Sequence, residues 1–325
     1  TSTVEERTPL FTPPTFGVTV LGCAHGFDAS GKTTGFILWA NGRGIMVDPP
    51  VDTTEWLRDH GVSPRCVDSI ILTHCHSDHD AGTLQKALQA DRVRLYTTET
   101  IYESFLRKSQ AITGLERDLF GSILRFRPVP IGKPLPINSA RFVFNYALHS
   151  IPTIGFECWL GGKSLVYTSD TLNCPSKIGE LRDLGVLSAG RAEALLDFPW
   201  HHDLIIHEAG VPPLHTPAEV LADLPDDVKR RLFLVHTTPD RMPQGKGLQL
   251  APTGLEKTLV LDAESEPNAT AVQWLLVMRS VEHFRELPLD KAIQFIEIVE
   301  TQRFEPGQYV IRQGDPGEHF YMILS

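Results

Sequence analysis

Ser69-Ile-Ile-Leu-Thr-His74-Cys-His76-Ser-Asp78-His79-Asp-Ala-Gly82 is the stretch on which the reading of this chain turns. Its apolar start has strand length, and the pattern predicts a tight loop after that strand and a helix opening near Thr83. Four groups able to hold a metal fall within six residues. His74 and His76 alternate, so both imidazoles can point to one side of an extended loop. Cys75 between them is expected to face the other way. Asp78 and His79 sit where the chain turns and can reach a second position close by. Neutral imidazoles with a carboxylate suit zinc, manganese or iron. Thirteen histidines occur in 325 residues, so chance clustering directly after a strand explains the segment poorly.

Outward from this segment, short apolar runs of strand length lie at 18–21, 35–39 and 45–47, with Asn41-Gly42 as a hairpin signal between the last two. Further runs lie at 93–96, 141–146, 156–160, 164–167, 204–206 and 232–235. Helical patterns at 83–90, 99–108 and 217–224 are interleaved with them. Such mixing makes an α/β protein of more than one layer. A length of 325 residues favours two domains. The composition breaks at 262–270, where Glu264, Glu266, Pro267 and Asn268 cluster. The expected division is a polar arm over 1–15, a main domain over 16–267 and a second domain over 268–325.

A 42% apolar content allows a sizeable core, and the net charge of −10 argues against a nucleic-acid platform. An acidic chain can still bind phosphates at a metal. The five cysteines form no C-x-x-C pair, which speaks against a disulfide framework or a zinc ribbon and suits a reducing cytosol. No apolar run approaches membrane length and no signal pattern opens the chain, so a cytoplasmic location without a membrane partner is expected. Thr1 is not a methionine and Ser325 falls inside an apolar stretch, so the ends read as those of a fragment.

The segment Gly26-Phe-Asp-Ala-Ser-Gly31-Lys32-Thr33 matches the P-loop formula and follows a strand. A working P-loop must open a helix whose amides cradle phosphate. Here a strand-like run over 34–39 follows, so no triphosphate site is expected.

Residues 69–82 resemble the T-H-x-H-x-D-H-x-x-G signature of the metallo-β-lactamase superfamily, and further positions follow that family's order. The resemblance implies a four-layer αββα fold holding two divalent ions, with zinc the first expectation and manganese or iron as alternatives. Asp48 resembles the aspartate that braces the metal loop. His74, His76, His149 and Asp170 would take the first ion; Asp78, His79, Asp170 and His236 the second. A carboxylate bridging two ions leaves room for an activated water, which Asp78 would orient or deprotonate.

A second cluster, Asp203-Leu-Ile-Ile-His207-Glu208-Ala209 followed by His215-Thr216, resembles the tRNase Z and related phosphodiesterase branch, with departures at Gly210 and Pro217. In that branch the glutamate orients a histidine that protonates the leaving oxygen, and Glu208 and His215 are the matching pair. Such an acid is what an alkoxide leaving group needs. Only 20 residues separate His149 from Asp170, and they read as a hairpin, which leaves no room for the long arm of tRNA-processing enzymes. A small phosphodiester, with a cyclic nucleotide the attractive choice, is therefore expected ahead of folded RNA. The rivals are a glyoxalase II-like thioesterase, a tRNase Z-like nuclease and a non-catalytic metal-binding regulator.

Residues 282–323 resemble the opening of a cyclic-nucleotide-binding domain. Helices are expected at 271–286 and 289–302, strands at 308–312 and 319–324, and turns at Gly307, Gly314 and Gly317. That family's phosphate-binding helix would lie beyond Ser325. The resemblance therefore implies regulation by a cyclic nucleotide in the full-length protein and no nucleotide contacts in this piece. A homodimer stays open.

Overall fold

The computed structural model describes residues 11–264, apart from 30, 64, 65 and 90–92, together with scattered positions between 274 and 322. The chain divides into two compact units, 1–264 and 265–325. In the first unit β1 (Phe16–Gly22), β2 (Gly35–Ala40), β3 (Arg43–Val47), β4 (Ser69–Ile71), β5 (Val93–Thr97) and β6 (Leu124–Pro128) build one sheet with β14 (Leu259–Val260), in the order β14-β1-β2-β3-β4-β5-β6. The other sheet has the order β13-β12-β11-β10-β9-β8-β7. Its strands are β7 (Pro134–Ile137), β8 (Ala140–Tyr146), β9 (Ile154–Leu160), β10 (Lys163–Tyr167), β11 (Leu204–Glu208), β12 (Leu232–Val235) and β13 (Gln249–Leu250). Helices α1 (Thr53–Asp59), α2 (Ser77–Gln89), α3 (Glu99–Thr113) and α4 (Arg117–Ile123) come from the first half. Helices α5 (Pro175–Asp183), α6 (Ala189–Leu196), α7 (Ala218–Ala222) and α8 (Asp226–Lys229) come from the second.

Burial follows the two periodicities. On β11, Leu204 and Ile206 face the core between the sheets, while Ile205 joins Val166, Leu221 and Val228 on the outer face beneath α7 and α8. On the other side Leu57, Ile101 and Phe105 close α1 and α3 onto the first sheet. Between the sheets Phe36 meets Tyr167 edge-on at 4.8 Å. The result is the four-layer αββα arrangement of the metallo-β-lactamase fold. Every position of β2 is buried, as expected for a strand covered on both faces.

The strands without a clear sequence signal lie at sheet edges. β7 carries two prolines and β6 alternates arginine with apolar residues, and both end their sheets. Proline and charge blunt exposed edges, which removes the apolar pattern by which strands are recognised. Helix α2 departs from expectation in another way: it opens at Ser77, not near Thr83. His79 N and Asp80 N both donate to His76 O, so the helix is already turning at Asp78, and acidic residues in a first turn suit the helix dipole. Gly82 makes this tight start fit, because any Cβ there would run into the carbonyl oxygens of Pro49 and Pro50.

In the second unit, described residues 308–312 form no strand, contrary to expectation. A strand needs a neighbour to take its backbone groups, and none lies alongside among the described residues. Residues 319–322 of the strand expected at 319–324 are likewise described and form none, while much of the helices expected at 271–286 and 289–302 falls on residues outside the described ones.

Candidate metal centre

Strand ends deliver the site. β3 and β4 run parallel, as do β10, β11 and β12. Their carboxyl ends release Asp48, the His74 loop, Asp170, Glu208 and His236, and His149 follows β8. Open sheets commonly place ligands at this end. Three strand-end residues hold positive φ: Asp48 at 44°, Ser169 at 53° and His236 at 57°. Each such conformation costs on the order of 1–3 kcal/mol and survives only where neighbours enforce it. For His236 the enforcement includes its own N–H, which donates to Thr34 Oγ1 at 2.9 Å.

Two sets of donor atoms result. In the first, His76 Nδ1 lies 3.2 Å from both His74 Nε2 and His149 Nε2. Asp170 Oδ2 lies 3.5 Å from His74 Nε2 and 3.7 Å from His149 Nε2. In the second, Asp78 Oδ2 lies 3.2 Å from His236 Nε2 and 3.7 Å from His79 Nε2. Asp170 Oδ1 is 3.3 Å from His79 Nε2, and Asp170 Oδ2 is 3.5 Å from His236 Nε2. Four donors about 2.0–2.1 Å from a tetrahedral ion would stand about 3.3–3.4 Å apart. The first set, with Asp170 Oδ2, is close to that spacing; in the second, Asp78, His79 and His236 group together, and Asp170 stands beside them with Oδ1 towards His79 and Oδ2 towards His236.

The electrostatics call for a cation. Among the described residues, the ion-pair partners of Asp48, Asp78 and Asp170 are all histidines. Burial drives His74 down to about 3 and His149 to about 4, so both offer lone pairs at neutral pH. His79 goes the other way: burial opposes its charge, but Asp170 and Asp48 push its imidazole well above the usual range. That field would equally welcome a metal in place of the proton. Two buried atoms pointing into the cluster, His79 Nε2 and Asp170 Oδ1, have no hydrogen-bond partner. The residues therefore fit a pair of divalent ions.

Asp48 braces this centre from behind. Its Oδ1 accepts from Thr73 N at 2.8 Å, and its Oδ2 accepts from Thr73 Oγ1 and lies 3.0 Å from His79 Nδ1. A carboxylate on the far nitrogen fixes the tautomer that leaves Nε2 facing the ion. Lys108 Nζ, donating to Cys75 O, Ser77 Oγ and both oxygens of Asp80, ties α3 to the same loop. Cys75 turns away, its thiol directed at Ile101 O and pushed up to about 12 by burial.

The second cluster divides. Glu208 and His215 come together, with His215 Nδ1 3.1 Å from Glu208 Oε2 and 4.0 Å from Asp170 Oδ2. Burial would lower His215, but its bond to Glu208 and the charges of Glu208 and Asp170 raise it above the ordinary imidazole value. His207 points elsewhere, to Asn173 and the plane of Trp200. His25 escaped sequence reasoning: it is buried with its ring 6.1 Å from that of His236. Its only signal was its position just past the first strand.

Fold and paired donor sets together define a metallo-β-lactamase-fold protein. The fold protein YhfI from Bacillus subtilis superposes with a TM-score of 0.53 over 74% of this chain and 97% of that one, at 18% identity. A diphosphatase of the PhnP family does so with a TM-score of 0.53 over 77% and 100%, at 17% identity. Within this fold, the chain belongs to the family described as Anti-Pycsar protein Apyc1, which matches residues 16–250. Two relatives come from Dictyostelium discoideum. The cGMP-dependent 3',5'-cGMP phosphodiesterase A is 44% identical over 324 residues, all of this chain and 37% of that protein. The cAMP/cGMP-dependent 3',5'-cAMP/cGMP phosphodiesterase B is 38% identical over 324 residues, 98% of this chain and 30% of that protein. The chain thus spans 30–37% of the length of these relatives.

Proposed function

We propose that this chain is the catalytic part of a two-metal phosphodiesterase that opens cyclic nucleotides. The observation that carries the reading is the position of Asp170, which lies between the His74–His76–His149 and Asp78–His79–His236 clusters and is flanked at 4.0 Å by a histidine already paired with a glutamate. The names of the two Dictyostelium relatives support a 3',5'-cyclic nucleotide as the substrate.

His74, His76, His149 and Asp170 would hold one ion, and Asp78, His79, Asp170 and His236 the other; the imidazole-rich sets suit zinc, with manganese or iron as alternatives. When bound, the ions supply Lewis-acid charge and bring the attacking water's pKa towards neutrality. Asp78 orients that water, whose proton passes to solvent. Burial works against its charge, but the bond to His236 and the charge of His79 hold its carboxyl below the usual range, so it stays ionised and serves as a hydrogen-bond acceptor. Water oxygen bonds to phosphorus as one ring P–O bond breaks. His215, with Nδ1 engaged by Glu208, uses Nε2 to protonate the departing ribose oxygen. A thioester releases a thiolate that needs no such acid, so the Glu208–His215 pair favours the phosphodiester reading. Residues 268–325 would belong to a cyclic-nucleotide-binding-like domain through which a cytoplasmic protein is regulated.

The test combines metal analysis with turnover of cGMP, cAMP, bis-p-nitrophenyl phosphate and a thioester. Two ions per chain and ring opening of a cyclic nucleotide are expected. Turnover of the thioester alone would overturn the reading.

A further inference from the structure

The segment between β1 and β2 matches a phosphate loop in letters, yet no helix follows it, and five of its amides donate to the chain's own atoms. Ala24 N donates to Lys32 O and Thr34 N to Ala24 O, each at 3.0 Å, closing the base of the loop. At the tip, Asp28 N donates to His25 O at 3.0 Å and Phe27 N to His25 Nδ1 at 3.2 Å. Thr237 N donates to Cys23 O at 2.9 Å, and Thr34 Oγ1 receives His236 N, so the loop is fastened to the strand end that presents His236. Gly26 lies against Asp78: a Cβ there would stand 2.7 Å from Asp78 Oδ2. The tip of the turn therefore rests on Asp78, and the end of the loop on His236, both residues of the second donor set.

Phe27 occupies that tip with 89% of its surface exposed, while His25 beneath it is 5% exposed. The two rings are 6.1 Å apart, and the His25 ring is a further 6.1 Å from that of His236. A single exposed apolar residue is ordinary on a protein surface. Here it is an aromatic ring held by a hydrogen-bonded turn at the rim of the candidate metal centre, where turn chemistry would favour a small polar residue.

We propose that Phe27 is the platform on which the nucleobase of the substrate stacks while its phosphate sits at the ions. This rests on the phosphodiesterase reading and deepens it. The ring offers an apolar face and no hydrogen-bond group, so it grips any purine without reading its edge. A stacking platform of this kind accepts adenine and guanine alike. It lies on the β1–β2 loop and not on a strand end, so it is separate from the residues that hold the ions or move protons.

The experiment uses the metal-loaded 1–325 chain and steady-state kinetics with cGMP, cAMP and a ribose cyclic phosphate lacking the base. Phe27→Ala is expected to raise KM for both nucleotides roughly 5- to 150-fold, the usual worth of one base–aromatic stack, with kcat nearly unchanged. Phe27→Trp should restore the nucleotide KM, which a merely structural role for the turn would not produce. The KM advantage of nucleotides over the abasic compound should collapse in the alanine variant. A nucleotide KM within twofold of wild type in Phe27→Ala overturns the proposal while leaving the phosphodiesterase reading intact. So does an equal loss on the abasic compound, or a KM rise accompanied by a change in the sedimenting mass, which would make Phe27 a contact between copies. Failure of the wild-type chain to open any cyclic nucleotide sinks the underlying reading, and this proposal with it.

Discussion

Asp170 and Glu208 are both buried carboxylates at the ends of neighbouring parallel strands, yet the chain treats them differently. Glu208 is fully provided for: Oε1 accepts from Thr216 N, and Oε2 accepts from Gly210 N and pairs with His215 Nδ1. Asp170 has one oxygen without a hydrogen-bond partner and a ring of imidazole nitrogens at 3.3–3.7 Å. Leaving a buried carboxylate short of partners costs several kcal/mol. The difference separates a group finished by the fold alone from one that is finished by a cation. Glu208 is preorganised with or without ions, whereas the arrangement around Asp170 makes physical sense once ions are present.

The largest expected effect comes from Asp170→Ala, because both donor sets lose a member at once. Turnover should fall below detection and the ion content of purified protein, read by elemental analysis, should drop from two. A variant that kept two ions and full activity would break the contrast outright.

On the preorganised side, His215→Ala should slow a natural cyclic nucleotide by roughly 10²–10⁴-fold, the worth of general acid catalysis. Bis-p-nitrophenyl phosphate should suffer far less, because nitrophenolate leaves without a proton, and ion content should stay at the wild-type level. The pH profile carries the sign. His215 is raised above the ordinary imidazole value, burial being outweighed by Glu208, so its proton-donating form persists below that raised pKa and is lost as pH rises through it. Glu208→Gln removes the charge that raises it. The alkaline limb of kcat/KM should therefore move to lower pH, and a limb that stayed in place would detach Glu208 from the acid.

Asp48→Asn should act more mildly and on the metal side alone. It keeps the shape of the brace on Thr73 and His79 but weakens the carboxylate that sets the His79 tautomer. Metal affinity should fall about 10–100-fold, as losses of such supporting partners usually do. Competition with a chromogenic chelator would measure it, and an unchanged affinity would mean the first-rank donors position themselves.

These contrasts also explain what could be read without coordinates. The candidate donors that the fold brings together were legible because their spacing is local: His74, His76, Asp78 and His79 lie within six residues, and the remaining candidates each follow an apolar run. The early start of α2 was not, since Ser77-Asp78-His79-Asp80 is too polar to register on a pattern that tracks apolar periodicity. Edge strands β6 and β7 were hidden by the arginines and prolines that protect them. His25 and Phe27 were missed for a different reason. Their relation to His236 and Asp78 spans about 50–210 residues of chain and is created only when β1 and β12 bring their ends together.

The smallest expected effect lies in the same loop and tests whether matching letters can mislead. Lys32 would be the phosphate-binding lysine if residues 26–33 formed a P-loop. Its main-chain oxygen instead accepts from Ala24 N, and its side chain is exposed. A P-loop works by aiming unsatisfied amides of a helix start at phosphate. In this chain β2 follows the loop, and the amides of Ala24, Phe27, Asp28, Gly31 and Thr34 already donate to partners within it. Lys32→Ala removes no hydrogen bond of the loop's main chain and no donor of the metal centre. Its stability should stay within about 0.5 kcal/mol of wild type, as for most surface substitutions, and cyclic-nucleotide turnover should be unchanged. Calorimetric titration with ATP should show no binding in either protein. Binding that is present in the wild type and vanishes in this variant would mean that the loop cradles phosphate after all, and would move the nucleotide from the rim of the metal centre to the loop itself.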